Sequence, residues 1–463
     1  MNHVRNEPSH DPQSPSRRDV LRDVALGAAG IVIPGCAGPW PHTNVVEAPS
    51  RAPALPGGLE VQGTRFLRGG APFVVNGMNY WAALPLSREG NPAGWDQVRR
   101  DLDAMQALGV NMLRIVGATE GPDSAPYRIV PTLQARQGQF DSASLNGLAR
   151  FIAELETRGL IAIVMLNNFW HWSGGMAQYL EWAGEGPIPY PPPHPGGSWS
   201  TYQRYAARFY ANEKANVAFA ELLRFIVPPF KSSPSVIWEL ANEPRGITSG
   251  RAFASWIHNT AARIRSLAPH HLITTGSEGQ TATAFFSGTD LVRDHQSPHI
   301  DFATFHLWAE NWGWVRGDDL PGTFSSGLEK AKAYVLDHVD RARQLGKPLL
   351  LEEFGFPRDN GSFAPSAATT YRDRYFESLY ELVGAHVTDG EMVGLMPWAW
   401  AGQARPREAG ALWLSGDPLI GDPPHERQGW YSLYDRDTTL AIVRRFADRH
   451  VNGNVPPPTA ARS

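Results

Sequence analysis

The sequence predicts a single α/β barrel, a (β/α)8 TIM barrel of eight parallel strands with long βα loops, and three observations support this fold class. Strand-like and helix-like segments alternate from Leu59 to the end of the chain, and eight alternations occur without a second composition regime. The third predicted strand, 160–166, is apolar almost throughout, as expected for a parallel strand covered on both faces. A chain of 463 residues also accommodates one such barrel with insertions after its strands.

The first half of the chain contains four predicted strands and three predicted helices. Two of the helices end at a glycine, Gly109 or Gly159, and such a glycine is a common helix stop. The third strand, LIAIVML, contains no polar residue. The predicted strands are 73–79, 110–116, 160–166 and 235–241, and the predicted helices are 95–108, 142–158 and 202–226.

The second half shows the same alternation of predicted strands and helices, and its weakest helical pattern lies in the connection 277–299. No short-period sequence repeat is visible, which disfavours solenoids and propellers. The predicted strands are 271–276, 300–306, 348–354 and 392–398, and the predicted helices are 251–267, 327–344, 370–387 and 438–450.

The N-terminal segment 1–36 is predicted to be a twin-arginine-type export signal. The stretch SRRDVLR (16–22) precedes an apolar run, 24–33, that is too short to span a bilayer. Cys36, the only cysteine, follows this run at a position resembling a lipid-attachment site. The alternative is a cysteine that is removed with the signal by ordinary cleavage. We therefore expect a periplasmic, outer-membrane lipoprotein or extracellular protein.

The remaining chain divides into a linker, one catalytic domain and a tail. Residues 37–58 are rich in Pro, Ala and Gly and predict a linker, 59–455 predict the barrel, and 456–463 predict a flexible tail. A net charge of −4 without a basic run argues against nucleic acid as a partner. We expect a monomer.

Polar or aromatic residues lie at the carboxyl ends of nearly all the predicted strands. Catalytic groups of such barrels lie at the carboxyl ends of the strands, so these residues should meet on one rim. They are Asn79, Arg114, Asn167, Asn168, Asn242, Glu243, Glu278, His306, Glu353 and Trp398. Aromatic residues are also concentrated in Gly- and Pro-rich loops, where they could stack on a flat, apolar-faced ligand such as a sugar ring.

Two glutamates at this rim form the candidate catalytic pair. Glu243 precedes Pro244, which cannot continue a central strand, so Glu243 is expected at the mouth of strand four. Strand seven ends with Glu352 and Glu353, whose side chains should point to opposite faces. We expect Glu353 to face the barrel axis and Glu352 to face the helix layer or pair with a basic neighbour.

A pair of carboxylates across one rim is suited to glycosidic bond cleavage. One group protonates the leaving oxygen and the other attacks the anomeric carbon, and a separation of about 5–5.5 Å predicts retention of configuration. Arg114 would keep the nucleophile ionised. The alternatives are a helix-capping role for Glu243 and a purely structural ion pair for Arg114.

The sequence indicates no metal or other cofactor. His306 has no accompanying His or Cys residues at metal-ligand spacing. The Gly-rich stretches lack a phosphate-loop pattern, and no Gly-x-Ser-x-Gly nucleophile motif is present.

The chain resembles glycoside hydrolase family 5, and more narrowly the β-1,4-mannanase branch in an exported bacterial form. The resemblance rests on the stretches MNYW (78–81), NMLR (111–114), NNFWHWSGGMAQYLEWAG (167–184), WELANEPR (238–245), EG (278–279), DFATFHLW (301–308) and EFG (353–355). It implies a catalytic barrel from about Val61 to the C-terminal helix.

The resemblance also implies a role for individual residues. Glu243 matches the acid/base, Glu353 the nucleophile, and Asn242 a ligand of the sugar 2-hydroxyl. Trp308 stands where many relatives have a tyrosine bonded to the nucleophile. The other implied substrate-binding residues are Arg114, His306, Trp398, Trp81, Trp170, Trp172 and Glu278.

The expected activity is hydrolysis of β-1,4-mannosidic bonds in mannan or manno-oligosaccharides by double displacement, with endo attack. The long loops 184–201 and 402–429 keep open an exo-acting β-mannosidase, since they could close one end of a cleft. Two further alternatives are a family 5 β-glucanase or cellulase and a non-catalytic surface glycan-binding lipoprotein.

Overall fold

The computed structural model describes residues 52–452. The predicted signal segment 1–36 with Cys36, most of the predicted linker 37–58 and the predicted tail 456–463 lie outside the described residues. Within 52–452, no helix combines the length and the apolar character needed to cross a membrane.

Eight parallel strands form the barrel and confirm the predicted fold class. Each of the described strands pairs with its sequence neighbours except the fifth and sixth, which do not pair with each other, and the last strand pairs with the first. The barrel strands are β4 (Val75–Asn79), β5 (Met112–Val116), β6 (Ile161–Met165), β7 (Val236–Glu239), β8 (Ile273–Thr274), β9 (Ala303–Leu307), β10 (Leu349–Phe354) and β11 (Gly394–Pro397).

A small antiparallel sheet closes the amino-terminal end of the barrel. It consists of β1 (Leu59–Gln62), β2 (Arg65–Arg68) and β3 (Ala71–Pro72). Phe66 of β2 packs edge-on against Phe302 at a ring distance of 5.1 Å, within an apolar cluster that fills this end. The polar strand ends therefore face the opposite, carboxyl-terminal rim.

The helices lie between the strands and around the barrel. They are α1 (Ala83–Ser87), α2 (Pro92–Ala107), α3 (Ser142–Arg158), α4 (Gly175–Trp182), α5 (Trp199–Ala206), α6 (Glu213–Ile226), α7 (Gly250–Leu267), α8 (Ala284–Ser287), α9 (Leu291–His295), α10 (Leu320–Leu345), α11 (Thr370–Thr388) and α12 (Leu440–Phe446). A two-stranded sheet, β12 (Trp400–Gly402) with β13 (Leu433–Tyr434), lies beside the eighth strand.

The predicted long helix 202–226 is wrong as a single helix. It is divided at Asn212, whose backbone is extended with φ −90° and ψ 107°. The Asn212 side chain accepts a hydrogen bond from Ala215 N at 2.9 Å and caps the start of α6. The weakly helical connection 277–299 contains only the short helices α8 and α9.

The barrel has a seam between β8 and β9, where the described strands form no ladder. Backbone and side-chain hydrogen bonds bridge this gap, and Asp301 N donates to Ile273 O at 2.8 Å. The Asp301 carboxylate accepts a bond from Ile273 N at 2.7 Å, and the hydroxyls of Thr274 and Thr304 donate to Phe302 O and Ser277 O. At the rim, His306 N donates to Glu278 O at 3.2 Å.

Candidate active site

Arg114 lies at the centre of the carboxyl-terminal rim and is completely buried. From β5 it donates twice to Glu239 at 2.7 Å, to Glu353 Oε2 at 2.7 Å and to Asn242 Oδ1 at 2.8 Å. It also donates to Asn79 Oδ1 at 3.1 Å. One guanidinium thus orders four side chains from strand ends, and three of these contacts concern residues singled out in the sequence. Glu239 was not among those residues.

Glu243 lies four residues beyond the end of β7 and has a left-handed backbone with φ 48°. Such a conformation costs a residue other than glycine about 1–3 kcal/mol and is often found at functional sites. The carboxylate accepts a hydrogen bond from the Trp170 indole N–H at Oε2. Its Oε1 lies 2.9 Å from Nδ1 of His306. Both oxygens are therefore fixed in direction.

Glu353 stands opposite Glu243 on the same rim. Arg114 donates to its Oε2, and the Trp308 indole N–H donates to its Oε1 at 3.1 Å. A carboxylate oxygen of Glu353 lies within 4.8 Å of one of Glu243. Each carboxylate is only 4 % exposed. The structure thus brings together the two glutamates that the sequence selected, at a spacing compatible with a retaining glycosidase.

The charge of Glu353 is set by opposing effects. Burial and the neighbouring Glu243 raise the pKa of Glu353 to about 7, although His306 and Arg114 act to lower it. The pKa of His306 is raised to about 10, because Glu353, Glu243 and Glu352 outweigh the effect of burial. This shift favours the imidazolium form of His306, in which both ring nitrogens are donors.

The expectation that Glu352 and Glu353 point to opposite faces is wrong. A β-bulge in β10 places both residues opposite His306, because Leu351 pairs with Phe305 and Glu353 with His306. The bulge re-aims the side chain of Glu352 into the barrel. Its Oε2 lies 3.4 Å from His306 Nε2 and 3.7 Å from Arg114 Nε. The basic partner expected for Glu352 is therefore found on the inner face.

Glu278 does not project freely into the site. It accepts two hydrogen bonds from Arg245, at 2.6 and 2.7 Å. The Arg245 guanidinium lies 4.9 Å from the centre of the Trp170 ring. This clamp holds the indole that donates to Glu243. Arg245 was missed in the sequence, although it directly follows Pro244 in the WELANEPR stretch that carries Glu243.

Aromatic rings form a continuous wall beside the catalytic pair. Trp172 contacts Trp81 at a ring distance of 6.1 Å and Trp398 at 6.2 Å, and Trp398 contacts Trp308 at 6.5 Å. His425 lies parallel to Trp172 at 6.4 Å. The four tryptophans were selected from the sequence, whereas His425 was not, because its loop is remote in sequence from every strand end.

The loops 184–201 and 402–429 meet at this wall. His425, from the second loop, packs 6.4 Å from Trp199 of the first loop and 5.1 Å from His171. Tyr190 of the first loop packs against His171 at 5.6 Å. The Trp81 indole N–H donates to Gly421 O of the second loop at 2.8 Å. The loops thus enclose one side of the site.

Comparison with known proteins identifies the family of this chain. A family profile described as GH family 5 β-mannosidase-like matches residues 58–452. The mannan endo-1,4-β-mannosidase A of Podospora anserina is 30% identical over 315 residues, which are 65% of this chain and 74% of the relative. The mannan endo-1,4-β-mannosidase 4 of Solanum lycopersicum is 26% identical over 378 residues, which are 78% and 87%.

Solved structures give the same result. The family 5 mannosidase of Rhizomucor miehei has a TM-score of 0.79 at 28% identity and covers 86% of this chain and 99% of its own. The endo-β-1,4-mannanase of Thermotoga petrophila shares the fold with a TM-score of 0.59 at 22% identity, covering 84% of this chain and 78% of its own. The chain belongs to the β-mannosidase-like family of glycoside hydrolase family 5 and is a glycosidase.

Proposed function

We propose that the enzyme hydrolyses β-mannosidic bonds with retention of configuration, using Glu243 as acid/base and Glu353 as nucleophile. The observation that carries this proposal is the close, buried pair of carboxylates with different partners. Arg114 and Trp308 both donate to Glu353, which favours its charged form. Glu243 is held by Trp170 and His306, and its match to the acid/base of family 5 in the stretch WELANEPR supports its role in proton transfer.

The first step transfers the sugar to the enzyme. An oxygen of Glu353 forms a bond to the anomeric carbon while the glycosidic C–O bond breaks. The electron pair of that bond passes to the leaving oxygen, which takes the proton of Glu243. The products are a glycosyl ester on Glu353, the released alcohol and the Glu243 carboxylate.

The second step releases the sugar. Glu243 takes a proton from a water molecule, whose oxygen forms a bond to the anomeric carbon. The ester C–O bond breaks and its electron pair returns to Glu353. Two inversions give net retention, and both glutamates regain their starting protonation states.

The names of the relatives support a mannose-containing substrate. The curated relatives are named as mannan endo-1,4-β-mannosidases, and the Rhizomucor miehei mannosidase has been solved with mannosyl-fructose. A β-glucoside is the competing substrate, because glucose differs only in its equatorial 2-hydroxyl. Parallel assays on mannan and β-glucan separate these possibilities, and faster turnover of β-glucan would contradict the proposal.

The enclosing loops support attack at a chain end, in contrast to the endo attack expected from the sequence. A polysaccharide must pass through a cleft that is open at both ends, whereas here His425, Trp199 and His171 close one side. We therefore propose release of mannose from manno-oligosaccharides. Endo attack remains the second candidate, because endo-acting relatives share the fold.

Two measurements test the function. Glu353→Ala should abolish turnover while oligosaccharide binding persists, and unchanged hydrolysis would remove Glu353 from the mechanism. In a time course on unsubstituted mannohexaose, exo attack gives mannose from the first sample, whereas mixed oligosaccharides mean endo attack. The double variant Trp199→Gly/His425→Gly opens the wall and should increase the fraction of larger products, with Trp312→Gly as a control on another loop.

We further propose that segment 1–36 exports the enzyme and that Cys36 is lipidated, based on the twin-arginine pattern and the position of Cys36. Replacing Arg17 and Arg18 with lysine should retain the enzyme in the cytoplasm. Cys36→Ser should abolish labelling by a radioactive fatty acid without affecting export. Fractionation of cells that express each variant measures both outcomes.

A further inference from the structure

Glu352 is a third carboxylate of the catalytic centre, and the two-step reaction does not use it. It is completely buried and enters the barrel only because of the bulge in β10. Its Oε1 has no hydrogen-bond partner among the described residues, and its Oε2 faces His306 Nε2 at 3.4 Å. A buried carboxylate with so few partners is costly for stability, so a compensating role is expected.

Arg114 does not account for Glu352. Every guanidinium nitrogen of Arg114 already donates at 2.7 Å to another carboxylate, either Glu239 or Glu353. Glu352 lies farther away, at 3.7 Å from Nε. His306 is the cation to which Glu352 is closer.

His306 has a carboxylate at each ring nitrogen. Nδ1 lies 2.9 Å from Glu243, and Nε2 lies 3.4 Å from Glu352. A neutral imidazole carries one ring proton and can donate to only one of these groups, whereas an imidazolium donates to both. Nδ1 also lies 3.7 Å from Glu353 Oε1, so the ring stands between the two catalytic carboxylates.

This position matters because the reaction moves a negative charge. In the resting enzyme the charge is on Glu353, and after the first step it is on Glu243. A cation that lies 2.9 Å from one oxygen and 3.7 Å from the other stabilises both states without moving. If His306 were neutral, this stabilisation would be lost in each step.

We propose that Glu352 is a positioning residue whose fixed negative charge keeps His306 an imidazolium, so that the ring serves both catalytic carboxylates as a stationary counter-charge. This inference rests on the proposed function for its catalytic meaning. The protonation of the ring can be measured without substrate.

Several other charged groups act on His306 and must be held constant in any test. The carboxylates that act on the ring are Glu243 and Glu239 from the fourth strand and its extension, Glu278 from the fifth, and Glu352 and Glu353 from the seventh. Arg114 and Arg245 are the cations bonded to Glu239 and Glu278 of this set. Glu352→Gln changes one charge in this set and keeps the side-chain shape.

The direct test is NMR of the enzyme labelled with 15N-histidine, with His306 assigned from a His306→Gln variant. In the native enzyme both ring nitrogens of His306 should remain protonated up to at least pH 8. In Glu352→Gln one nitrogen should lose its proton at a pH lower by about one unit or more, since an opposite charge at this range has been removed. Glu352→Asp should retain the imidazolium. The control is Asp101→Asn in α2, where Asp101 is a buried acid that accepts a hydrogen bond from Tyr80.

Kinetics gives the second readout. The alkaline limb of kcat/KM should move to lower pH in Glu352→Gln and return toward its native position in Glu352→Asp. A neutral His306 in the native enzyme at pH 7, or an unchanged imidazolium in folded Glu352→Gln, would overturn the proposal. If Glu353→Ala still hydrolysed substrate, the assignment of the nucleophile would fail. The NMR result would still show whether Glu352 keeps His306 protonated.

Discussion

At the scale of single residues, each catalytic carboxylate accepts a hydrogen bond from an indole N–H. Trp170 donates to Glu243 and Trp308 donates to Glu353. An indole can donate but cannot accept, so it stabilises a carboxylate oxygen and never competes for the proton of the acid. Trp308 therefore serves the nucleophile as a donor alone, unlike the tyrosine that many relatives carry.

Replacing Trp308 with phenylalanine should reduce kcat/KM about 10- to 100-fold. Hydrogen bonds to charged groups contribute roughly 1.5–3 kcal/mol, and this variant removes one from Glu353. Trp308→Tyr should recover part of the loss through its hydroxyl. Trp312→Phe controls for the loss of an indole nearby, and equal activity of Trp308→Phe and the native enzyme would exclude the bond from the mechanism.

The pKa of Glu353 predicts the acid limb of the pH profile. The nucleophile must be ionised, so kcat/KM should fall about tenfold per pH unit below about pH 7. Trp308→Phe should move this limb to higher pH, because the charged form loses a donor. An acid limb near pH 4.5 in the native enzyme would contradict the assignment.

Stability should show the opposite trend. The folded protein holds the Glu353 proton more tightly than the unfolded chain, so this residue stabilises the fold below about pH 4.5. That contribution is lost as the pH rises through about 7. Denaturant unfolding of Glu353→Gln should lack this part of the pH dependence.

Strand-end reasoning found Glu243, Glu353, Arg114 and His306 in the sequence because each lies near the carboxyl end of a largely apolar predicted strand. It failed for Glu352, since alternation assumes a regular strand and the bulge breaks that regularity. No local residue pattern in LLLEEF marks the bulge.

At the scale of elements, the turn after β8 depends on a glycine. Gly276 has φ 73°, and a Cβ there would lie 2.1 Å from Ala241 O. Gly276 O also accepts the backbone N–H of Glu243 at 3.0 Å. The backbone of the proposed acid/base is thus supported by a position that tolerates no side chain.

A matched pair of variants separates backbone conformation from steric overlap. Gly159 ends α3 with φ 69°, and no heavy atom lies within 4 Å of the place that a Cβ would take, so Gly159→Ala should cost only about 1 kcal/mol. Gly276→Ala carries the same conformational cost and adds the clash, so its free energy of unfolding should fall further. Equal losses measured by denaturant unfolding would contradict this interpretation.

The element pattern was predictable where periodicity and stop signals agreed. The helix 142–158 matches α3, which is capped by Asp141 and ends at Gly159. The division at Asn212 was missed because the surrounding sequence is compatible with a helix on both sides. A tertiary contact supports the break, since Asn212 Nδ2 donates to Glu185 of the loop 184–201 at 2.7 Å.

At the scale of the whole molecule, the barrel was predictable because eight alternations leave few other arrangements. The enclosure of the site was not, because it depends on where two loops far apart in sequence come together. His425 and Trp199 are widely separated along the chain, yet they pack against each other. Only the folded barrel brings these loops to one side of the rim.

The seam between β8 and β9 is a region of low local stability that passes through the catalytic centre. Hydrogen exchange in the native state should be faster for amides of β8 than for those of β5 and β6, which have complete ladders. His306 lies at this seam, and its backbone N–H donates to Glu278 O on the other side. Opening there would separate the imidazole from Glu243 while most of the barrel stays folded.

On slow heating, activity should therefore disappear at a lower temperature than far-ultraviolet circular dichroism. Thr304→Val, which removes a bridge across the seam, should widen the interval between the two transitions, whereas Thr157→Val on the outer face of α3 should not. Coincident transitions in both variants would show that the barrel opens as one unit. If the transitions separate as predicted, the seam between β8 and β9 sets the highest temperature at which the enzyme is active, and this temperature lies below that at which the core unfolds.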